Sequence, residues 1–399
     1  MLSDPRDPRR VHFPHHDLLK QRVCHMAAGS EDANDANTLR PDPICTLLLD
    51  RVPETGAPLA AQPTISRVEN RVSRTELSRR ALVLVEQCLA SSVSPPQRIV
   101  LDVDDTEDPV HGQQEQARYD AYYGGYGFLP LHLYEGLSGR LITAIFKAKR
   151  FTGAQMLAVL KRLVKRLRHA WPHTLVIVRG DSHFAYPEVM EWIEAQANLS
   201  YVTGLTSNAV LKELAREVVE QAKRAYERDG GKITRFHSTR YQAGTWSRSR
   251  RVVIKVEVSN QGVNTRFVVT DMEHARTQVV YRHLYCARGQ MENEIKDHKL
   301  YLKSDRTSCH RFGANQFRVL LHSAAYVLLD TLRREVLRAT QWASATMETI
   351  QLRLLKLGAR VQEGTAQIKI SFPSSCLVAP ILRHSLTLLA CVRLTSQAL

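Results

Sequence analysis

The order of apolar runs between residues 98 and 204 constrains the fold more than any other feature. Arg98 to Val103 (RIVLDV) is rich in strand-forming residues. Phe128 to Glu135 and Arg140 to Lys147 are two further strand runs, joined by Gly136-Leu-Ser-Gly139, a hairpin signal. The period then changes: from Gly153 to His169, the residues Met156, Leu157, Leu160, Val164 and Leu167 share one helical face. Thr174 to Val178 reads as a buried strand, Tyr186 to Ala197 as a helix, and Ser200 to Gly204 as a strand. Three strands able to pair antiparallel, then helix, strand, helix, strand, have one economical solution. Short connections and right-handed crossovers give a mixed five-stranded α/β sheet flanked by helices.

The flanking segments set the expected organisation. Residues 1–95 form a helical N-terminal region, with a helix over Pro63 to Val72 and a second opened by Ser73-Arg-Thr-Glu76, which has capping-box spacing. Two short helices with Ser and Arg at their turn suit DNA-end binding, or packing on one another. Ser92 to Gln97 (SVSPPQ) is a linker. A helix over Asn208 to Arg228 and strands over Lys232 to Thr270 make residues 207–274 an inserted helix plus β-rich subdomain. Helices over Arg276 to Lys299 and Phe312 to Arg338 return the chain to a core of residues 98–206 and 275–340. Residues 341–399 are a C-terminal region with a helix, Thr346 to Leu357, and a strand, Ala366 to Phe372.

Charge narrows the partner. The 399 residues carry 55 Lys+Arg against 40 Asp+Glu, a formal net charge of +15, so nucleic acid is expected ahead of a membrane surface. The longest nearly apolar stretch, Phe317 to Leu329, contains Arg318 and His322 and is shorter than the ~20 residues of a membrane span. The opening MLSDPRDPRRVHF has no apolar core of a secretion signal. The 7 cysteines are scattered with no C-x-x-C pair, as expected of reduced thiols in a cytosol.

The chemistry lies in three acidic features. In Leu101-Asp-Val-Asp-Asp-Thr106, side chains alternate, so Leu101 and Val103 face one side and Asp102 and Asp104 the other. Adjacent carboxylates in a partly buried strand repel and resist desolvation, a cost that a divalent metal removes. Asp181, in Val178-Arg-Gly-Asp-Ser-His183, follows an apolar strand, where open α/β sheets bind ligands. Tyr285, Arg288, Glu292 and Lys299 are spaced so that a regular helix sets them within roughly 60° of one another. An acid, two cations and a phenol on one surface are suited to a phosphate ester.

With these residues in view, the element order resembles the ribonuclease H fold, and the sequence resembles bacterial insertion-sequence transposases of the DDE type. The resemblance is to the group whose third motif reads Tyr-(2)-Arg-(3)-Glu-(6)-Lys, which Tyr285-Cys-Ala-Arg288-Gly-Gln-Met-Glu292 and Lys299 match without a gap. Asp104-Asp-Thr106 resembles the first motif and Asp181 the second, and a β-rich insertion precedes the third as in that family. The resemblance spans about residues 98–340. It implies two-metal phosphoryl transfer, with Asp104, Asp181 and Glu292 as catalytic residues holding two Mg²⁺ ions, for which Mn²⁺ can substitute. Tyr285, Arg288 and Lys299 are implied to bind DNA phosphates near the cleaved end, and Asp102 or Asp105 are the alternatives to Asp104 as ligand. The implied partners are double-stranded DNA, both the terminal inverted repeats and the target, and a second copy of the chain, acting in the cytoplasm at the nucleoid.

Other readings compete with this one. Asp102-Val-Asp104-Asp-Thr106 also looks like the nucleophile motif of haloacid-dehalogenase-type phosphatases, with Asp102 phosphorylated. A catalytically silent, DNA-binding transposase remnant is a third reading. Basic stretches from Arg140 to Ala170 and from Gly230 to Val256 suit phosphates. Trp246, in the second stretch, suits either stacking on a displaced DNA base or packing within a hairpin. His283, Cys286, His298, Cys309 and His310 match no common zinc-site spacing.

Overall fold

The computed structural model describes residues 4, 6, 7, 9 and 11–396, with side chains described as far as residue 390. Five helices lead the chain among the described residues: two short ones, Asp35–Leu39 and Pro43–Leu47, and three longer ones, α1 (His15–Ala27), α2 (Gln62–Asn70) and α3 (Arg74–Ala90). The start of α3 is the capping box expected from sequence, in which the Glu76 N–H donates to the Ser73 hydroxyl and the Ser73 N–H to the Glu76 carboxylate.

The central sheet begins with β1 (Arg98–Asp105), β2 (Leu131–Glu135) and β3 (Arg140–Ile145). Helix α4 (Gly153–Ala170), strand β4 (Leu175–Gly180), helix α5 (Pro187–Glu194) and strand β5 (Leu199–Leu205) follow in the expected order. Pro130, which has no N–H for a ladder, separates β2 from Gly125–Phe128, so the expected run from Phe128 is divided. Gly125–Phe128 belongs instead to a small three-stranded sheet with Asp108–Pro109 and Arg118–Asp120.

The sheet has eight strands, not five. After helix α6 (Ala209–Asp229) come β6 (Ile233–Tyr241), β7 (Arg250–Ser259) and β8 (Gly262–Thr270), and the order is β3-β2-β1-β4-β5-β8-β7-β6. β1, β4 and β5 run parallel, while β8 pairs antiparallel with β5 from Phe267↔Leu205 to Thr270↔Val202. A sheet ending at β5 would leave a row of unpaired backbone groups, and the inserted strands cover that edge. The Thr270 hydroxyl adds a bond to the Tyr201 carbonyl at 2.7 Å.

Both faces of the sheet are covered. Leu101 and Val103 pack with Met156 and Leu160 of α4, Ile193 of α5, and Leu211 and Ala215 of α6. On the opposite face Val100, Ile177, Val202 and Val268 meet Val280 and Tyr281. Helices α7 (Gly289–Lys296) and α8 (Phe312–Thr331) extend this layer, with Met291, Ile295, Phe317 and Leu321 packed against Tyr134 and against Met26 of α1. The N-terminal helices lie on α8: the Arg80 guanidinium sits 4.2 Å over the Phe317 ring.

The segment bearing the third motif is not one regular helix. Thr277–Val279 is α-helical, Val280–Tyr285 is a wider π turn, Cys286–Arg288 a tight 3₁₀ turn, and Asp297–Tyr301 a second π turn after α7. The single regular helical face expected for Tyr285, Arg288, Glu292 and Lys299 therefore does not form.

Candidate active site

Parallel neighbours β1 and β4 end at the same edge of the sheet, from Arg98↔Leu175 to Val103↔Gly180. Asp104 stands near the end of β1 and Asp181 directly follows β4. One Asp181 oxygen accepts the His183 N–H at 2.8 Å and the other lies 3.1 Å from the His183 ring. Asp104 is half-buried, and Arg288 Nη2 donates to its Oδ2 at 2.7 Å. Burial pushes the Asp104 carboxyl up to about 7, with Asp181 and Asp105 pushing the same way and Arg288 opposing. Burial also raises Asp105, against the field of Arg150, whose Nε lies 3.3 Å from Asp105 Oδ2.

Three of the four third-motif side chains converge on these strand ends. Arg288 meets Asp104, and Lys299 Nζ lies 3.4 Å from the Thr106 hydroxyl. The Tyr285 hydroxyl sits against Gly204, where an added Cβ would stand 2.7 Å from it and 2.8 Å from the Ser182 nitrogen. Burial raises the Tyr285 pKa above the ordinary tyrosine value, so the phenol is a proton donor at neutral pH. Glu292 lies apart. Met291 and Ile295 turn into the core, which leaves Glu292 exposed one helical turn beyond Arg288.

Asp102 has a different occupation. Both its oxygens receive the Arg179 guanidinium, one at 2.5 Å, and both side chains are 1% exposed. Arg179 also donates to the Leu284 carbonyl at 2.5 Å, tying β1 and β4 to the segment that carries Tyr285. Asp102 is thus sealed away from any phosphate, which removes it both as nucleophile and as substitute metal ligand. The sequence reading overlooked Arg179; its only signal was a cation inside an apolar strand, two residues before Asp181.

Trp246 takes the hairpin-packing role. It is 6% exposed, edge-on to Tyr241 at 5.4 Å between ring centroids, with the Arg250 guanidinium 5.1 Å over its ring. His298 is buried beneath the site, its Nδ1 3.2 Å from His132 Nε2 and 3.0 Å from the Ser304 hydroxyl. The donor chemistry of Asp104 and Asp181, half-buried carboxylates at neighbouring strand ends, fits a hard divalent cation. A complete set is not assembled: among the described residues no three Asp, Glu, His or Cys side chains stand close enough to hold a metal.

Comparison with known proteins decides the family. The model of the family described as "Transposase DDE domain group 1" matches residues 1–394, nearly the whole chain. The chain is a DDE transposase. No curated protein matches it. Among solved structures, the piggyBac transposase synaptic complex with hairpin DNA is similar at 12% identity, covering 81% of this chain and 68% of that chain with a TM-score of 0.44. As a DNA transposase the protein acts on DNA, and DDE transposases generally use divalent metal ions. Among the described residues, no helix of this transposase is long and apolar enough to cross a membrane.

Proposed function

We propose that this transposase cuts the ends of a bacterial insertion sequence and joins them to target DNA, using Tyr285, Arg288, Glu292 and Lys299 as its third motif. The observation that carries the reading is the meeting of Asp104, at the end of β1 beside Asp181, with Arg288 at 2.7 Å. The β3-β2-β1-β4-β5 portion of the sheet, with two aspartates at adjacent strand ends, supports a ribonuclease H-like core. Asp104 and Asp181 would hold the two Mg²⁺ ions, which when bound supply Lewis acidity to phosphoryl transfer. Glu292, exposed and apart from them in this structure, would complete the set by moving to them as DNA binds. Arg288 exchanges Asp104 for a DNA phosphate, which its planar fork can grip through two bonds. The Tyr285 phenol donates a hydrogen bond to a phosphate oxygen, and Lys299 adds a point charge beside Thr106. Two element ends must be brought together, so the working form is a homodimer on terminal inverted repeats, in the cytoplasm at the nucleoid.

The test is Mg²⁺-dependent cleavage of a labelled duplex carrying the element end. Wild type nicks the end, whereas Glu292→Gln binds it with nearly unchanged affinity and does not nick. Nicking at the normal rate by Glu292→Gln removes Glu292 from the catalytic set. Tight binding without nicking by wild type identifies a silent DNA-binding protein.

A further inference from the structure

Between β1 and β2 the chain raises a hairpin, Arg118–Asp120 paired with Gly125–Phe128, that presents four tyrosines to solvent. Tyr119 stands directly across from Tyr126, their rings 5.6 Å apart and steeply inclined. Tyr122 and Tyr123 form a second edge-to-face pair at the tip, 4.9 Å apart. Tyr119, Tyr122 and Tyr126 are 59%, 82% and 60% exposed. Packed aromatic rings contribute to stability through burial, and three of these four are largely denied it, with Tyr123 at 37% exposed.

The mounting is nonetheless fixed. Asp120 organises the tip, its side chain accepting the Tyr122 N–H and its carbonyl the Gly124 N–H, each at 2.9 Å. Gly124, at φ +70°, supplies the left-handed turn. The base is bound to the loop that follows Lys299: the Thr307 hydroxyl donates to Asp108 at 2.8 Å, and the Phe312 N–H to Glu115 at 3.0 Å. Tyr119 and Tyr123 share a depression with Arg118 and Lys149, as well as Glu107 and the Asp120 already engaged at the tip. The hairpin leaves the sheet just after Asp104 and Asp105.

We propose that this tyrosine hairpin is a stacking site for unpaired DNA bases beside the strand-end carboxylates. Rings held open on a fixed base, with two cations at their edge, match a ligand that offers flat π-faces linked by phosphates. Bases inside a duplex are already stacked and cannot offer those faces; unpaired nucleotides can. The proposal rests on the reading of the chain as a DNA-cutting transposase.

The experiment compares the full-length protein on two probes, a short blunt duplex and the same duplex with an unpaired tail containing 2-aminopurine. Wild type and a Tyr122→Phe/Tyr123→Phe variant are expected to bind the tailed probe more tightly and to quench its fluorescence. Tyr122→Ala/Tyr123→Ala should lose about tenfold in affinity for the tailed probe, keep its affinity for the blunt one, and abolish the quenching, with an unchanged thermal melt. Equal losses on both probes, no loss at all, or an unquenched tail with wild type overturns the site. Preference for the tail without nicking in Mg²⁺ supports the site and counts against the cleavage reading. Binding to neither probe by wild type defeats both.

Discussion

Arg179 and Asp102 carry opposite charges in a place where water does not reach, so each depends on the other. Removing one partner of such a pair leaves an uncompensated buried charge and typically costs about 3–5 kcal/mol. Arg179→Leu should therefore lower stability by that amount, read as a shifted urea midpoint at pH 7, and should also free the Leu284 carbonyl. The buried imidazoles give a second test. Burial lowers His132 from 6.5 to about 4, so between those values the unfolded chain binds a proton that the folded chain refuses. Its contribution is complete above pH 6.5 and is lost as pH falls towards 4. His132→Gln should reduce the stability difference between pH 7 and pH 5 by about 2 kcal/mol, measured by urea unfolding at the two pH values. The sequence pointed to Asp104 and Asp181, which the fold sets at neighbouring strand ends, but not to the partner of Asp102, because that pairing depends on the register Asp102↔Arg179 between strands far apart in the chain.

At the scale of elements, the third-motif segment spans two packing layers. Val280 and Tyr281 must reach the β-sheet valines, whereas Met291 and Ile295 must reach Phe317 and Leu321. A regular helix holds one phase; the π and 3₁₀ turns change it between the two contacts. That change turns Tyr285 and Arg288 towards the strand ends and leaves Glu292 in solvent. Gly204 is the close point of approach between β5 and this segment. Gly204→Ala would put a methyl carbon against the Tyr285 hydroxyl and the Ser182 backbone. The expected result is DNA-end binding weakened by about tenfold, the scale of one charge-assisted or neutral hydrogen bond, with the circular dichroism spectrum unchanged. The start of α3 was legible because a capping box is contained within four residues, Ser73 to Glu76. The phase change was not, since no residue between 280 and 288 breaks helical periodicity by itself.

Across the whole molecule, the +15 charge is distributed unevenly between structural and free cations. On α4, Arg166 pairs with Glu86, and Arg168 donates to the Ala197 and Asn198 carbonyls at 3.1 and 2.6 Å. Lys161, Arg162 and Lys165 of the same helix are exposed. In the second basic stretch Arg250 is 2% exposed and held by Glu194 at 2.7 Å. The exposed three of α4 are therefore the phosphate contacts to test. Replacing all three with alanine should weaken binding to duplexes of unrelated sequence alike, and lower the slope of log affinity against log salt by about 2–3, measured by fluorescence anisotropy. A loss confined to one sequence would assign them to base recognition instead.

The sequence by itself determined the order of strands and helices, the hairpin at Gly136 to Gly139, the cap of α3, and the two aspartates at strand ends. Each is encoded by periodicity or hydrogen bonding within a few neighbouring residues. Tertiary structure decided that the insertion extends the sheet to eight strands, that Asp102 is consumed by Arg179, that Trp246 is packed, and that Glu292 stands apart from Asp104. Those outcomes follow from edge pairing, burial and charge neutralisation between distant segments, where the free energy of one residue depends on which partner the whole fold brings to it.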